Sequence, residues 1–232
     1  MRLGSPGDPD AVIRALIWDA GGTLFDTYPA LVTACQSVLK LRGIEVEDGW
    51  LMQLFRRMTS YAVSTLSETF NLDRKDLEQS VRHAYAQVPP SKQPPFPGVL
   101  SVCQAIREVG GYNFIVTHRD WQSLRPLLDH YRMRDLFVHW ITADDSFPRK
   151  PDPASIRALL KRYQLNVQEC LVIGDREIDM IAARRAGVSS CFFAGRRDQL
   201  GVSADLIIQD YYALLTWLQA GVQDNDSEHQ TV

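Results

Sequence analysis

Four short stretches carry side chains whose types suit one chemistry. Asp19 closes the apolar run RALIWD (14–19) and is followed by Ala20-Gly21-Gly22-Thr23. Thr117 closes NFIVT (113–117), with His118 next to it. Lys150 sits in RKPDP, just after FVHWIT (137–142). Asp175 follows CLVIG (170–174), and Asp179 lies four residues further on. Two carboxylates brought to neighbouring strand ends repel each other unless a cation joins them. Mg²⁺ takes a few carboxylate oxygens and keeps waters and phosphate oxygens, which Asp19 and Asp175 can satisfy. Lys150 and Thr117 offer a charge and a hydrogen-bond donor to further phosphate oxygens. The Gly21-Gly22 turn lets backbone N–H groups approach an anion closely. A carboxylate beside a bound phosphoryl group can serve as a nucleophile. Singly, each residue has an ordinary reading as a turn aspartate, strand threonine or solvated lysine. Their joint placement at successive strand ends is what singles them out.

The elements that would position them follow from periodicity. Five apolar runs, 14–19, 113–117, 137–142, 170–174 and 189–193, are continuous rather than alternating, as in a sheet covered on both faces; LIIQD (206–210) is a weaker sixth. Helical patterns over 99–109, 121–131, 153–165 and 177–187 separate them, with Asp152-Pro153 opening one and Gly187 closing another. Strand and helix in alternation predict an α/β fold with a Rossmann-like parallel sheet, and ligands of such sheets bind at the carboxyl ends of the strands. Trp18 reads as core. The long interval after the first strand is not structureless. Leu31, Ala34, Cys35, Val38 and Leu39 mark one helical face; Leu51, Leu54, Phe55 and Met58 a second; Val63, Leu66 and Phe70 a third; Leu77, Val81, Ala84, Tyr85 and Val88 a fourth. Asp26 and Pro29 would start the first of these helices, and the proline-rich PPSKQPPFPG (89–98) ends the segment. The expected domains are a discontinuous core (1–27 and 96–222), an inserted all-α, four-helix module (28–95) and a disordered tail (223–232).

Composition narrows the partners. With 45% hydrophobic and 23% charged residues and a net charge of −3, the chain has no domain-wide positive field for nucleic acid or an acidic membrane. The helical insert is nearly balanced, eight Lys/Arg against seven Asp/Glu. No apolar run approaches the roughly 20 residues of a membrane span. The opening MRLGSPGDPDAVIR lacks the apolar stretch of a secretory signal and reads as a loose leader. The four cysteines, Cys35, Cys103, Cys170 and Cys191, form no CxxC pair and fit buried thiols in a reducing cytoplasm.

The order of the motifs resembles the haloacid dehalogenase superfamily of phosphohydrolases. WDAGGTL is similar to its first motif, Thr117 to its second, Lys150-Pro151 to its third and GDREID to its fourth, over roughly residues 14–220. The insert between the first two strands resembles the family's helical cap, as in phosphoglycolate phosphatase-like members. The resemblance implies that Asp19 is the nucleophile, forming an aspartyl-phosphate that water hydrolyses. It implies Mg²⁺ coordination by Asp19, the Gly21 carbonyl and Asp175, with Asp179 as an outer or water-mediated ligand. Thr117 and Lys150, with His118 and Gly22 beside them, would hold the phosphate of a small phosphorylated metabolite. One position departs. Family phosphatases carry a second aspartate two residues after the nucleophile, which protonates the leaving oxygen and activates water; here it is Gly21. Such a group contributes ~10²–10⁴-fold. Three outcomes stay open: another group such as His118 supplies the proton, the substrate has a good leaving group such as an acyl or aryl phosphate, or the chain binds phosphorylated ligands with little turnover. A phosphonatase, with Lys40 as its cap lysine, is a lesser alternative.

Overall fold

The structure is a computed structural model that describes residues 12–195 and 201–228, the side chains of 221–228 excepted. The loose leader expected at the N-terminus lies almost wholly outside the described residues. The chain divides into two compact units, Phe25–Pro94 and the remainder on either side of it, Met1–Leu24 with Pro95–Val232.

The Phe25–Pro94 unit is helical because its apolar residues recur at helical spacing. Helices α1 (Tyr28–Lys40), α2 (Asp48–Arg57), α3 (Thr59–Phe70) and α4 (Arg74–Ala86) bury a shared core of Cys35, Leu39, Leu51, Leu66 and Leu77, among others. Pro29 stands in the first turn of α1, where its missing N–H costs nothing. Asp26 does not cap that helix: the N-cap is Thr27, with no side-chain cap bond, and the Asp26 backbone N–H instead donates to Pro94 O at 2.8 Å. Met58 leaves the expected apolar face of α2. It is the extended residue between α2 and α3 and is exposed.

The other unit is built on six parallel strands, β1 (Ala15–Trp18), β2 (Tyr112–Val116), β3 (His139–Ile141), β4 (Cys170–Gly174), β5 (Ser189–Phe193) and β6 (Leu206–Ile208), in the order β3-β2-β1-β4-β5-β6. This is the α/β, Rossmann-like architecture. Helices α5 (Val99–Glu108), α6 (Trp121–His130), α7 (Ala154–Arg162), α8 (Glu177–Ala186) and α9 (Tyr211–Glu228) complete it. Every residue of β1 and β4 is buried, which is why those runs are apolar without alternation. On one face Ile17, Phe114 and Val172 pack with Ile156 and Leu159 of α7 and Ala182 and Ala183 of α8. On the other, Trp18 donates its indole N–H to Asn113 Oδ1 at 3.0 Å and lies against Tyr211, ring centroids 5.6 Å apart. Tyr211 in turn donates its hydroxyl to Thr23 O at 2.8 Å, tying the turn after β1 to α9.

Two boundaries differ from the sequence reading. The N-cap of α7 is Pro153, and Asp152 acts from one residue further out, its Oδ1 accepting the Ala154 N–H at 2.9 Å. Helix α9 runs to Glu228, into the tail expected to be disordered. The apolar turns of Tyr211, Leu214 and Leu218 bury and nucleate it, and adding residues to an existing helix is far easier than starting one. Residues 229–232 lie outside the described residues. No helix among the described residues is long and apolar enough to cross a membrane.

Candidate active site

Strand register brings the chemistry together. Trp18 is level with Ile115 on β2 and Ile173 on β4, so the next residue on each strand, Asp19, Val116 and Gly174, emerges at the same edge of the sheet. The Asp19 N–H continues the ladder to Ile173 O at 2.9 Å. Thr117 and Asp175 then follow one step further out. Strand order reverses here, with β1 between β2 and β4, which is where open α/β sheets leave a crevice. All three aspartates are buried: Asp19, Asp175 and Asp179 are 3%, 1% and 0% exposed.

Lys150 is the hub. Its ammonium lies 2.6 Å from Asp19 Oδ1 and 2.6 Å from Asp179 Oδ1, and it donates to Val116 O at 2.9 Å. Asp19 and Val116 O accept hydrogen bonds from the ammonium, and Asp179 adds a buried ion pair. Asp179 is held from its other side by the Arg176 backbone N–H, which donates to Oδ2 at 3.2 Å at the start of α8. Thr23 Oγ1 donates to Asp175 Oδ1 at 3.4 Å, so the glycine turn is drawn onto the fourth strand end. Within that turn Gly22 has φ +83°, a conformation that favours glycine, whereas Gly21 is not in the left-handed region.

The electrostatics follow from burial and this cation. Burial pushes the Asp19 carboxyl up, but Lys150, then Arg176, outweigh it and hold the group below its ordinary value. Asp179 goes the other way. Burial raises it, and Asp19 adds to the rise against the pull of Lys150. Burial works against the Lys150 charge, yet Asp179 and Asp19 together keep its pKa above the ordinary value.

His118, expected beside the phosphate, has one ring nitrogen engaged by the protein. Its Nε2 accepts the Lys150 backbone N–H at 2.9 Å, so the imidazole anchors the loop that carries the lysine. Burial, then Lys150 and Arg176, press its pKa down to about 4, which leaves the ring neutral at neutral pH with its proton on Nδ1. Thr117 Oγ1 accepts the Arg119 N–H at 3.2 Å and shares with His118, Thr142, Phe147, Arg149 and Lys150 the lining of a small cavity. Lys40 lies exposed at the end of α1.

Two contributors escaped the sequence reading. Gly174 makes room for Asp179: a Cβ there would sit 2.4 Å from Asp179 Cβ. Arg176 places Nη2 3.9 Å from Asp19 Oδ1. Its signal was present, as a basic residue between the two acids of GDREID.

The donor set suits a divalent cation. One oxygen from each of Asp19, Asp175 and Asp179 lies within 4.8 Å of the others, and Asp19 Oδ2 is buried without a hydrogen-bond partner among the described residues. A buried, unpaired carboxylate oxygen is costly, and hard oxygen donors of this kind suit Mg²⁺.

The family model for haloacid dehalogenase-like hydrolases matches residues 16–193. A phosphoglycolate phosphatase of Pseudomonas aeruginosa is 28% identical over 190 residues, 75% of this chain and 67% of that protein. The crystal structure of a hydrolase from Streptococcus pneumoniae superimposes with a TM-score of 0.61 at 31% identity, over 77% of this chain and 91% of that one. A superfamily hydrolase of subfamily IA from Geobacter sulfurreducens gives 0.68 at 19% identity, over 89% of this chain and all of that one, a likeness of fold.

Proposed function

The chain belongs to the haloacid dehalogenase-like hydrolases, and on that footing we propose that it is a Mg²⁺-dependent phosphatase acting on a small phosphorylated metabolite through an aspartyl-phosphate on Asp19. The observation that carries this is the Asp19 carboxylate itself. It is buried at the end of β1, held ionised by Lys150 at 2.6 Å, and its second oxygen has no hydrogen-bond partner among the described residues. Asp19 and Asp175, with the Gly21 carbonyl, would hold Mg²⁺, with Asp179 outside them. The ion would neutralise the charge of the phosphoryl oxygens that otherwise repels a carboxylate nucleophile. Lys150 orients Asp19 and supplies positive charge to the transferring phosphoryl group. Thr117 offers its hydroxyl to a phosphoryl oxygen, and the backbone of Gly22 approaches another. His118 keeps the lysine loop in place. In this reading the Phe25–Pro94 unit is the cap module, to which the choice of substrate falls. Four buried free cysteines support a cytoplasmic location.

The test is release of inorganic phosphate from a panel of phosphorylated metabolites, in Mg²⁺ and in EDTA. Release that needs the metal and disappears in Asp19→Asn is the expected result. Metal-independent release, or release unaffected by that substitution, overturns the proposal. Gly21 favours a second reading, a phospholigand-binding protein of low activity on the same scaffold. In that case the parent chain binds phosphate without turnover, and Gly21→Asp creates activity.

A further inference from the structure

Gly21 and Arg176 have a joint consequence for the substrate. Gly21 offers no side chain to protonate a leaving oxygen. Among the described residues of the sheet-bearing unit, the Lys150 ammonium and one nitrogen of His118 are already engaged. The Lys150 ammonium donates to Asp19 and Val116 O and pairs with Asp179, and His118 Nε2 accepts from Lys150 N. Arg176 adds a second cation at the nucleophile, its Nη2 3.9 Å from Asp19 Oδ1 and its side chain 19% exposed, so it is largely buried beside Asp19 yet keeps some contact with solvent. A guanidinium does not give up a proton in a protein, but it is a fixed, planar set of donors for anionic oxygens. An active site with a permanent cation beside its nucleophile and no proton donor at Gly21 suits a leaving group that departs as an anion.

Resting on the phosphatase reading above, we propose that Arg176 is a catalytic residue that contacts the phosphoryl and leaving oxygens, and that the enzyme is thereby specialised for acyl and aryl phosphates rather than alkyl phosphates. The first step forms the Asp19 O–P bond and breaks the bond from phosphorus to the leaving oxygen, which keeps the electron pair and leaves as carboxylate or aryloxide. Water then forms a new P–O bond as the Asp19 O–P bond breaks. The carboxylate is restored, and the water's protons pass to phosphate and solvent. The second step needs no strong base, because an aspartyl-phosphate is a mixed anhydride with a good leaving group of its own.

The experiment uses the full chain in Mg²⁺ with acetyl phosphate, p-nitrophenyl phosphate, phenyl phosphate, 2-phosphoglycolate and glycerol phosphate. The expected result is kcat/KM higher for acetyl and p-nitrophenyl phosphate than for the two alkyl esters by ~10²–10⁴-fold, the usual contribution of the missing acid. Gly21→Asp should narrow that gap. Arg176→Ser should lower kcat/KM on the acyl and aryl substrates about tenfold and weaken inorganic phosphate binding measured by calorimetry, while Arg176→Lys recovers part of both. Circular dichroism confirms that the variants fold. Alkyl esters cleaved as fast as aryl esters overturn the substrate class and leave the phosphatase reading standing. An Arg176→Ser chain with parental rates and phosphate affinity overturns the role of the arginine. Absence of Mg²⁺-dependent release from all five compounds overturns the specialisation together with the parent's turnover of acyl and aryl phosphates. The metabolite panel and Asp19→Asn then judge the phosphatase reading by itself.

Discussion

Lys150→Met retains the length of the side chain and removes its charge, which isolates what the ammonium does for the buried carboxylates. The lysine lies 2.6 Å from one oxygen of each of Asp19 and Asp179. At an effective dielectric near 20, each contact is about 6 kcal/mol of Coulomb attraction. Much of that is offset by removing the charges from water, and breaking a buried pair typically costs about 3–5 kcal/mol net. We expect a loss of that size in EDTA at pH 7, lowering the thermal midpoint by roughly 6–20 °C. Two further responses separate this account from simple loss of packing. Mg²⁺ can rejoin the carboxylates, so saturating metal should shrink the deficit. Lys150 also lowers the Asp19 pKa, and a depressed carboxylate stabilises the fold above its ordinary pKa of 3.8 and loses that contribution as pH falls through the folded value. The gap between parent and variant should therefore narrow in acid. Urea unfolding followed by fluorescence, with and without Mg²⁺ and at pH 7 and pH 3, measures all three. A deficit below about 1 kcal/mol in EDTA, or one that neither Mg²⁺ nor acid reduces, refutes the reasoning.

Other perturbations act on single features. Gly174→Ala sets a Cβ 2.4 Å from Asp179 Cβ, so we expect about 1–3 kcal/mol of destabilisation and weaker Mg²⁺-induced stabilisation in thermal melts, because Asp179 must shift. His118 titrates at about 4 against an ordinary 6.5; the folded chain binds fewer protons between those values, so stability falls as pH drops through that window. His118→Gln keeps an acceptor for Lys150 N–H without titrating. It should flatten the decline between pH 7 and pH 5 by about 1 kcal/mol, an allowance reduced for the ring's partial exposure. Asn113→Leu leaves the Trp18 indole N–H unpaired in the core and removes the second donor to Cys103 O, costing about 1–3 kcal/mol in urea unfolding.

Much of the sheet was readable because strands buried on both faces must be apolar at every position, and ALIW and CLVIG are. The spacing of Asp19, Thr117, Lys150 and Asp175 was readable for a related reason: parallel strands deliver their carboxyl ends to one edge. What remained hidden depends on partners distant in sequence. Whether the Arg176 guanidinium turns to solvent or to Asp19, and whether His118 Nε2 faces a ligand or the Lys150 backbone, is settled only once the β3–α7 loop and the start of α8 are in place. The third strand is shorter than 137–142 because Phe137 closes a 3₁₀ turn and the Thr142 N–H donates to Asp145 Oδ2 at 2.8 Å rather than to a neighbouring strand. Local hydrogen bonds of that kind compete with a sheet ladder and leave no trace in apolar periodicity.

The strand order β3-β2-β1-β4-β5-β6 also imposes a schedule. β1 is made first and ends at the centre of the sheet, yet its two neighbours, β2 and β4, are far downstream in the chain. At translation rates of about 5–20 residues per second, some 150 residues and roughly 8–30 s separate the synthesis of β1 from that of β4. Until β2 emerges, an apolar strand of Ala15, Leu16, Ile17 and Trp18 has no edge to join, and its other edge stays open until β4, while the Phe25–Pro94 helices, whose contacts are local, can form behind it. The nascent chain thus presents its most hydrophobic element to chaperones and neighbouring ribosomes for longest. Asp19, at the end of that strand, stays in water until Lys150 and the last two aspartates emerge to neutralise and bury it.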